Sequence, residues 1–195
     1  VKQLLRSVNL KANKMRNIIL FFIAFIGLNL KAQEPKITTF HRMLILNEEG
    51  KMLVVKIKNK DIWVTPGLYQ NTTQSIKQGM DSIAATYGLT VNSAKLRGVF
   101  GVKTPLTNYF STRNIFVMKT NEIHSKLPKI LDDAKWVSIK ESEKLINIRH
   151  INYFIQDIFE NPKLLRCGTV ERQKVDGKLT SRIIEEFYSL QNCIE

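Results

Sequence analysis

Runs of β-branched and apolar residues lie on both sides of one long helical pattern, and this order limits the fold more than any other feature. Lys36–Leu46 and Lys51–Ile57 flank Asn47-Glu48-Glu49-Gly50, a turn sequence, and together predict a β-hairpin. Trp63-Val64 predicts a short strand closed by Pro66-Gly67. For one domain of 195 residues, this order predicts an α+β fold or mixed α/β sandwich, with a mixed sheet flanked by helices.

The helical pattern covers Gln74–Tyr87, with Thr72 or Thr73 as the expected N-cap and Gly88 as the terminating residue. The apolar residues recur at helical spacing and predict one buried stripe: Ile76, Met80, Ile83 and Tyr87. At 100° per residue, three small residues fall on the opposite side: Ser82, Ala85 and Thr86. This side of the helix is therefore expected to face away from the core.

The remaining chain predicts further strands and helices. Strands are predicted at Asn92–Lys103, Arg113–Thr120 and Lys135–Ile139, with a loop at Thr104–Thr112. Helices are predicted at Glu141–Ile146, Ile151–Phe159 and, at the end of the chain, Thr180–Leu190. Asn161–Gly177 contains Pro162, Gly168 and Gly177, and is predicted to be irregular.

The N-terminal segment Met15–Gln33 has the pattern of a secretory signal peptide. Arg16 supplies the positive end, Ile18–Leu28 is an unbroken apolar run, and Ala32 is a small residue near the cleavage point. We expect translation to start at Met15, with Val1–Lys14 outside the translated product. The pattern predicts an exported protein with no membrane span after signal removal; a retained anchor is the alternative. The ending Lys31-Ala32-Gln33 resembles signal peptides of Gram-negative bacteria, and this resemblance implies a bacterial protein exported to the periplasm or the medium.

The formal net charge is +13. Six of the basic residues precede the first acid, Glu34: Lys2, Arg6, Lys11, Lys14, Arg16 and Lys31. The rest of the chain is moderately basic, which favours a small anionic or phosphorylated ligand. A nucleic-acid partner is disfavoured, because the segment after Phe159 lacks a helix-turn-helix pattern.

The cysteines and histidines do not predict a metal site. Cys167 and Cys193 would be able to form a disulfide in an exported protein, but their spacing alone does not distinguish a disulfide from two thiols. The three histidines are scattered, and each is expected to be structural or solvated: His41, His124 and His150. No spacing of these residues is typical of zinc binding.

The order of these elements resembles the Nudix hydrolase family, whose motif is G-x5-E-x7-R-E-U-x-E-E-x-G-U, with U an apolar residue. The frame of the motif falls on four residues: Gly67, Ile83, Gly88 and Leu89. The segment AKWVSIKESEKL resembles the one that closes this domain in many members. The resemblance implies a Nudix-like domain at 34–160 and a C-terminal extension at 161–195 that carries the predicted terminal helix.

The charged positions of the motif are not kept. The positions of the four metal-binding glutamates hold neutral residues: Thr73, Ser82, Ala85 and Thr86. Asp81 stands where the motif has arginine. Because hydrolysis of a diphosphate requires a divalent cation held by carboxylates, we expect no metal and no cofactor at this helix. The resemblance then implies a non-hydrolytic binder of a nucleotide or another anionic ligand.

One set of acids and one set of basic residues are further candidates for function. A divergent hydrolase using Mg²⁺ or Mn²⁺ is the alternative function, with three acids as its candidate residues: Asp81, Asp132 and Asp133. Basic residues on or beside the predicted strands are candidates for contact with an anion: Lys56, Lys58, Arg97, Lys103 and Arg113. The ligand itself and the oligomeric state are left open by the sequence.

Overall fold

A mixed β-sheet of nine strands organises residues 34–124 and 126–192, the part of the chain that this computed structural model describes. Its strands are Lys36–Leu46 (β1), Met52–Ile57 (β2), Trp63–Val64 (β3), Gly67–Tyr69 (β4), Ser93–Thr104 (β5), Tyr109–Lys119 (β6), Leu131–Val137 (β7), Arg166–Val175 (β8) and Lys178–Ser189 (β9). Three α-helices accompany it: Ile76–Thr86 (α1), Ile139–Leu145 (α2) and Arg149–Glu160 (α3). Pro105–Thr107 and Leu190–Asn192 are short 3-10 helices. The predicted α+β class with a mixed sheet is confirmed.

Strand β1 pairs with β2, β4 and β6 in a sheet whose order is β3-β2-β1-β6-β5-β8-β9. It pairs in parallel with β6 along its whole length, from Lys36 opposite Tyr109 to Leu46 opposite Lys119. It also pairs with β4 in antiparallel orientation, and its last residue pairs with β2, while β7 joins β2 on the other side. The predicted hairpin of β1 and β2 is confirmed.

Alternation along β1 and β2 divides the core into two clusters. Leu44 and Val54 belong to the cluster under α3, whereas Met43 and Leu53 belong to the cluster under α1. These residues are fully buried. Because successive strand residues point to opposite faces, the central sheet is covered on both sides, which gives the sandwich architecture.

Helix α3 provides the larger apolar layer. Phe154 stacks on Phe100 of β5, with ring centroids 4.3 Å apart and an angle of 13° between the rings. Three more α3 side chains are buried beside Phe154: Ile151, Ile155 and Ile158. A buried aromatic pair of this kind contributes about 1 kcal/mol beyond its area burial. This packing attaches α3 to the sheet and fixes the position of its first residues.

Helix α1 begins later than predicted. Its N-cap is Ser75, which forms a capping box with Gln78, and not Thr72 or Thr73. Asn71 explains the difference, because its Oδ1 accepts the backbone N–H of Thr73 and keeps these residues in a turn. Of the predicted apolar stripe, Tyr87 is buried and Met80 and Ile83 are partly buried, but Ile76 is exposed.

Strand β7 covers Leu131–Val137 instead of the predicted Lys135–Ile139, because Ile139 begins α2. Two predicted strand boundaries beside β1 also differ. Pro66-Gly67 does not end the strand pairing, since Gly67 begins β4 and pairs with Arg42 of β1. Strand β6 begins at Tyr109, inside the segment that was predicted to be a loop. In both places the pairing with β1 supplies backbone hydrogen bonds that the local sequence does not reveal.

The predictions for the end of the chain were wrong. The segment predicted as irregular contains strand β8, and the segment predicted as a terminal helix is strand β9. The two form a hairpin across Asp176 and Gly177, whose φ angles of 49° and 79° are those of a type I′ turn. Strand β8 pairs in parallel with β5, so the hairpin continues the same sheet.

Some predictions concern residues outside the described part. The signal peptide Met15–Gln33, the segment Val1–Lys14 and Cys193 all lie there, so these predictions and the disulfide remain predictions. Cys167 is buried in β8. Within residues 34–124 and 126–192, no helix is long and apolar enough to cross a bilayer.

The type I′ turn makes a first test of the fold. We expect Gly177→Ala to lower the free energy of unfolding by about 1 kcal/mol, because an L side chain at positive φ is strained. Urea unfolding would measure this loss. Asp176→Asn is the control, since Asn tolerates the left-handed region and should leave stability unchanged. Equal stability of Gly177→Ala and the unchanged protein would contradict the turn.

Candidate functional site

The frame residues of the motif have structural roles in this fold. A Cβ on Gly67 would lie 2.5 Å from Phe40 Cε1 and 2.6 Å from the His41 carbonyl oxygen, so the close pairing of β4 with β1 requires glycine. Gly88 has a φ of 71° after the last turn of α1. Leu89 is buried and Ile83 is partly buried in the core cluster under α1. These residues hold the helix against the sheet.

The motif positions on the opposite side of α1 hold uncharged residues. Ser82, Ala85 and Thr86 are exposed, as predicted. The hydroxyl of Thr86 donates to the Ile83 carbonyl at 2.7 Å, and that of Thr73 donates to Asn71 Oδ1 at 3.0 Å. A divalent cation such as Mg²⁺ needs several oxygen ligands with negative charge among them. The residues present at the motif positions do not fit such an ion.

The three candidate acids are not brought together. Asp81 forms an ion pair with Lys77 at 2.5 Å, one turn away on the exposed surface of α1. Asp132 accepts a backbone N–H at 2.8 Å, and Asp133 pairs with Lys135 at 3.3 Å. No group of three Asp, Glu, His or Cys side chains in the described residues is placed to hold a metal.

Of the predicted basic residues, Arg113 is the one that the described structure places at a cavity. Lys58 and Lys103 are exposed, and Lys56 forms an ion pair with an aspartate at 3.3 Å. Arg97 donates to a backbone carbonyl at 3.0 Å. The side chain of Arg113, in contrast, is 94% buried, and it lines a cavity of about 300 Å³.

This cavity, which we call the arginine cavity, lies between β1, β6, the segment from Val64 to Gly67 and the first residues of α3. Arg42 of β1 also lines it and is as buried as Arg113. Because β1 and β6 run in parallel with Phe40 opposite Arg113, the two guanidinium groups share one aromatic ring. Their central carbons lie 5.1 Å and 4.7 Å from the centroid of Phe40.

The two guanidinium groups have few partners. Arg42 donates to the carbonyl oxygen of Thr65 at 3.1 Å and to its hydroxyl at 2.8 Å. The Nε of Arg113 is buried without a hydrogen-bond partner. Neither arginine forms an ion pair with a carboxylate of the described chain. Two buried positive charges thus face one cavity without a counterion.

The electrostatic cost of this arrangement is visible at Arg42. Burial, and then the charge of Arg113, lower the pKa of Arg42 to about 9. An unpaired buried charge is among the least favourable groups in a folded protein. An anion in the arginine cavity would offset both the desolvation and the repulsion between the arginines.

His150 shows that the positive field extends further. It is buried at the start of α3, with Nδ1 3.2 Å from the hydroxyl of Ser181 on β9. Burial, followed by the charges of Arg42, Arg172 and Arg113, holds the pKa of His150 well below its usual value. His150 is therefore neutral at pH 7. A third arginine, Arg172 of β8, lines the same cavity.

Two tyrosines mark the mouth of the arginine cavity. Tyr69 and Arg172 line both this cavity and an adjoining open groove of about 660 Å³, which Tyr109 also lines. The hydroxyl of Tyr109 lies 2.7 Å from Thr38 Oγ1. Partial burial opposes its ionisation, but hydrogen bonds with Ser111, Thr38 and Tyr69 and the charge of Arg113 lower the pKa of Tyr109 to about 8.

Sequence reasoning missed most of these residues. Arg113 was a candidate, but Arg42, Tyr109 and Arg172 were not. Strand β1 carried a usable signal, because Phe40, Arg42 and Leu44 alternate on one face. A charge on the apolar face of a strand predicts a buried charged group that requires a partner.

Comparison with known proteins supports the fold. No protein-family profile and no curated protein sequence matches the chain. A solved structure of the mutator MutT protein from Bacillus halodurans superposes with a TM-score of 0.57 at 18% identity, covering 75% of this chain and 97% of that one. A Nudix hydrolase from Nitrosomonas europaea gives 0.54 at 17%, covering 65% and 90%. The MutT protein from Methanosarcina mazei Go1 gives 0.53 at 18%, covering 68% and 99%.

These similarities show that the chain contains a Nudix-fold domain, as the order of its elements predicted. At this level of identity they establish the fold alone. The chemistry of the site depends on the residues of this chain, because one fold supports many functions.

The unpaired arginines make a second test. We expect Arg113→Met to raise the free energy of unfolding of the ligand-free protein by about 1 kcal/mol, because it removes a buried charge and keeps an apolar stem of similar length. Thermal unfolding in an anion-free buffer would measure the change. Arg97→Met is the matched control and should not stabilise, since Arg97 is only partly buried and hydrogen-bonded. A destabilised Arg113→Met protein would contradict the argument.

Proposed function

We propose that this Nudix-fold protein binds a small anionic ligand in the arginine cavity and does not hydrolyse it through a metal ion on α1. One observation carries the proposal: Arg42 and Arg113 are buried at one cavity without a carboxylate partner in the described chain. A phosphate, sulfate or carboxylate group is the chemistry that guanidinium pairs recognise.

The geometry supports direct recognition by the protein. Arg113 has an unpartnered buried N–H, and Arg42 has used one of its terminal nitrogens on Thr65. Charge-assisted hydrogen bonds to such donors contribute about 1.5 to 3 kcal/mol each. Part of the free-energy cost of burying the arginines is already met when the protein folds. The donors are therefore oriented before the anion binds, which makes binding more favourable.

The surface of α1 supports the second half of the proposal. Its neutral residues cannot offset the charge of a divalent cation, and Asp81 supplies only one carboxylate, which Lys77 already neutralises. In the metal-dependent mechanism, the cation both neutralises the phosphate oxygens and activates water. In the proposed binder, the arginines neutralise the anion without a metal ion.

The size of the arginine cavity suits a small molecule rather than a nucleic acid. Its volume of about 300 Å³ is at the lower end of ligand pockets. Export to the periplasm or the medium is a separate proposal that rests only on the pattern of Met15–Gln33. The ligand would then be one that is present outside the cytoplasm.

The proposal is tested by calorimetric titration with sulfate and with inorganic pyrophosphate in magnesium-free buffer. We expect binding, with an affinity that falls at least about tenfold in Arg113→Met because a charge-assisted bond is lost. Lys58→Met is the control, since Lys58 is exposed and should leave the affinity unchanged. Failure of both anions to bind the unchanged protein would refute the proposal.

A hydrolysis assay separates the binder from an enzyme. Nucleoside diphosphate derivatives are incubated with Mg²⁺ or Mn²⁺, and we expect no release of phosphate or nucleotide above background. Release that depends on the metal and disappears in Asp81→Ala would instead establish the divergent hydrolase.

The affinity for sulfate should also depend on pH. Bound sulfate favours the protonated form of Arg42, whose pKa is about 9, and disfavours the phenolate of Tyr109, whose pKa is about 8. Binding therefore takes up protons, and the affinity should fall as the pH rises from about 7 to about 10. His150 is already neutral and does not contribute. Sulfate keeps a constant charge over this range, so the change reports on the protein.

Tyr109→Phe distinguishes the two contributions to this pH profile. Without the phenol, the affinity should fall less steeply as the pH rises, and the part of the fall that depends on Arg42 should remain. A profile that Tyr109→Phe leaves unchanged would show that Tyr109 is not coupled to the arginine cavity.

A further inference from the structure

Beside its three arginines, the arginine cavity is lined largely by apolar side chains. Aliphatic side chains from four parts of the chain line it: Ile57, Val64, Pro66, Leu131, Ile148 and Ile151. Ile57 and Ile148, both of which line the arginine cavity, are partly exposed. Apolar surface at the entrance of a charged cavity gains free energy when an apolar group of a ligand covers it.

The arginine cavity offers few amide or carboxylate side chains that could hydrogen-bond to a nucleobase. No Asn, Gln, Asp or Glu among the described residues lines the arginine cavity. The carbonyl and hydroxyl of Thr65 already accept from Arg42, and Nδ1 of His150 is bonded to Ser181. A base has donors and acceptors on its edges, and amide and carboxylate side chains are their usual partners. A buried base would here leave polar edges unpaired.

The adjoining groove does not supply these partners either. Its two amides are committed to the protein: Gln70 Oε1 lies 2.7 Å from His41 Nε2, and its Nε2 donates to two backbone carbonyls. Asn71 Oδ1 accepts the backbone N–H groups of Thr73 and Gln74. The amides of the groove would therefore be available to a nucleobase only if these bonds were broken.

We infer that the ligand is an amphipathic anion, with one acidic head group on Arg42 and Arg113 and a hydrocarbon body against the aliphatic walls, rather than a nucleotide. This inference rests on the proposed function, because it names the class of anion that the arginine cavity takes. A head group and an aromatic ring or short alkyl chain suit a cavity of about 300 Å³.

Two sulfonates with the same head group and different bodies test the inference. Calorimetric titrations compare methanesulfonate with benzenesulfonate, and adenosine diphosphate serves as the nucleotide. We expect benzenesulfonate to bind at least about tenfold more tightly than methanesulfonate, because the ring is removed from water. Adenosine diphosphate in magnesium-free buffer should bind more weakly than benzenesulfonate.

A wall variant locates the hydrocarbon body. Ile57→Thr keeps the β-branched shape that suits the end of β2 but adds a hydroxyl to the wall. Its affinity for benzenesulfonate should fall several-fold, and by more than its affinity for methanesulfonate. A thermal melt verifies that the variant is folded, and the comparison of ligands on the unchanged protein does not depend on it.

The outcomes separate this inference from the proposed function. If the two sulfonates bind equally, or adenosine diphosphate binds more tightly than benzenesulfonate, the amphipathic ligand is refuted while anion binding stands. If no anion binds in an Arg113-dependent manner, the proposed function fails and the inference fails with it.

Discussion

The parallel pairing of β1 with β6 is the interaction on which the rest of the structure depends. These strands are distant in the sequence, and their full-length register places Phe40 opposite Arg113 and Arg42 opposite Ile115. The same pairing buries Leu44 and Ile115 in the cluster under α3. Because a parallel ladder needs a long crossover, the segments between the two strands, including α1 and β5, are held against the sheet.

The frame residues of the Nudix motif are kept in this fold, but the charged residues lie elsewhere than at the charged positions of the motif. Gly67 is required by the close approach of β4 to β1, and Gly88 by its positive φ, whether or not a metal binds. The motif positions on α1 that would carry carboxylates hold neutral residues. The buried arginines Arg42 and Arg113 instead place positive charge at the arginine cavity. Direct neutralisation of an anion by arginine does not need a divalent ion, so both features are consistent with one binding function.

The errors of prediction have identifiable physical causes. Thr180–Leu190 has helical apolar spacing, but Asp176-Gly177 is a strong hairpin signal, and the open edge of β5 provides a partner for β8. Intrinsic preference in short segments is weaker than the gain from extending an existing sheet. The cap of α1 moved for a similar reason, since the side chain of Asn71 holds the preceding turn.

The sequence by itself determined the α+β class, the β1–β2 hairpin, the helix between the two motif glycines and the absence of the glutamates. These are properties of local patterns, since periodicity, turn residues and the identity of a side chain are readable without partners. Only the tertiary structure decided that the C-terminal hairpin joins the sheet and that Arg42, Arg113 and Arg172 meet. Their convergence depends on strand register and burial between segments far apart in the chain, and no local pattern encodes the distance between such side chains.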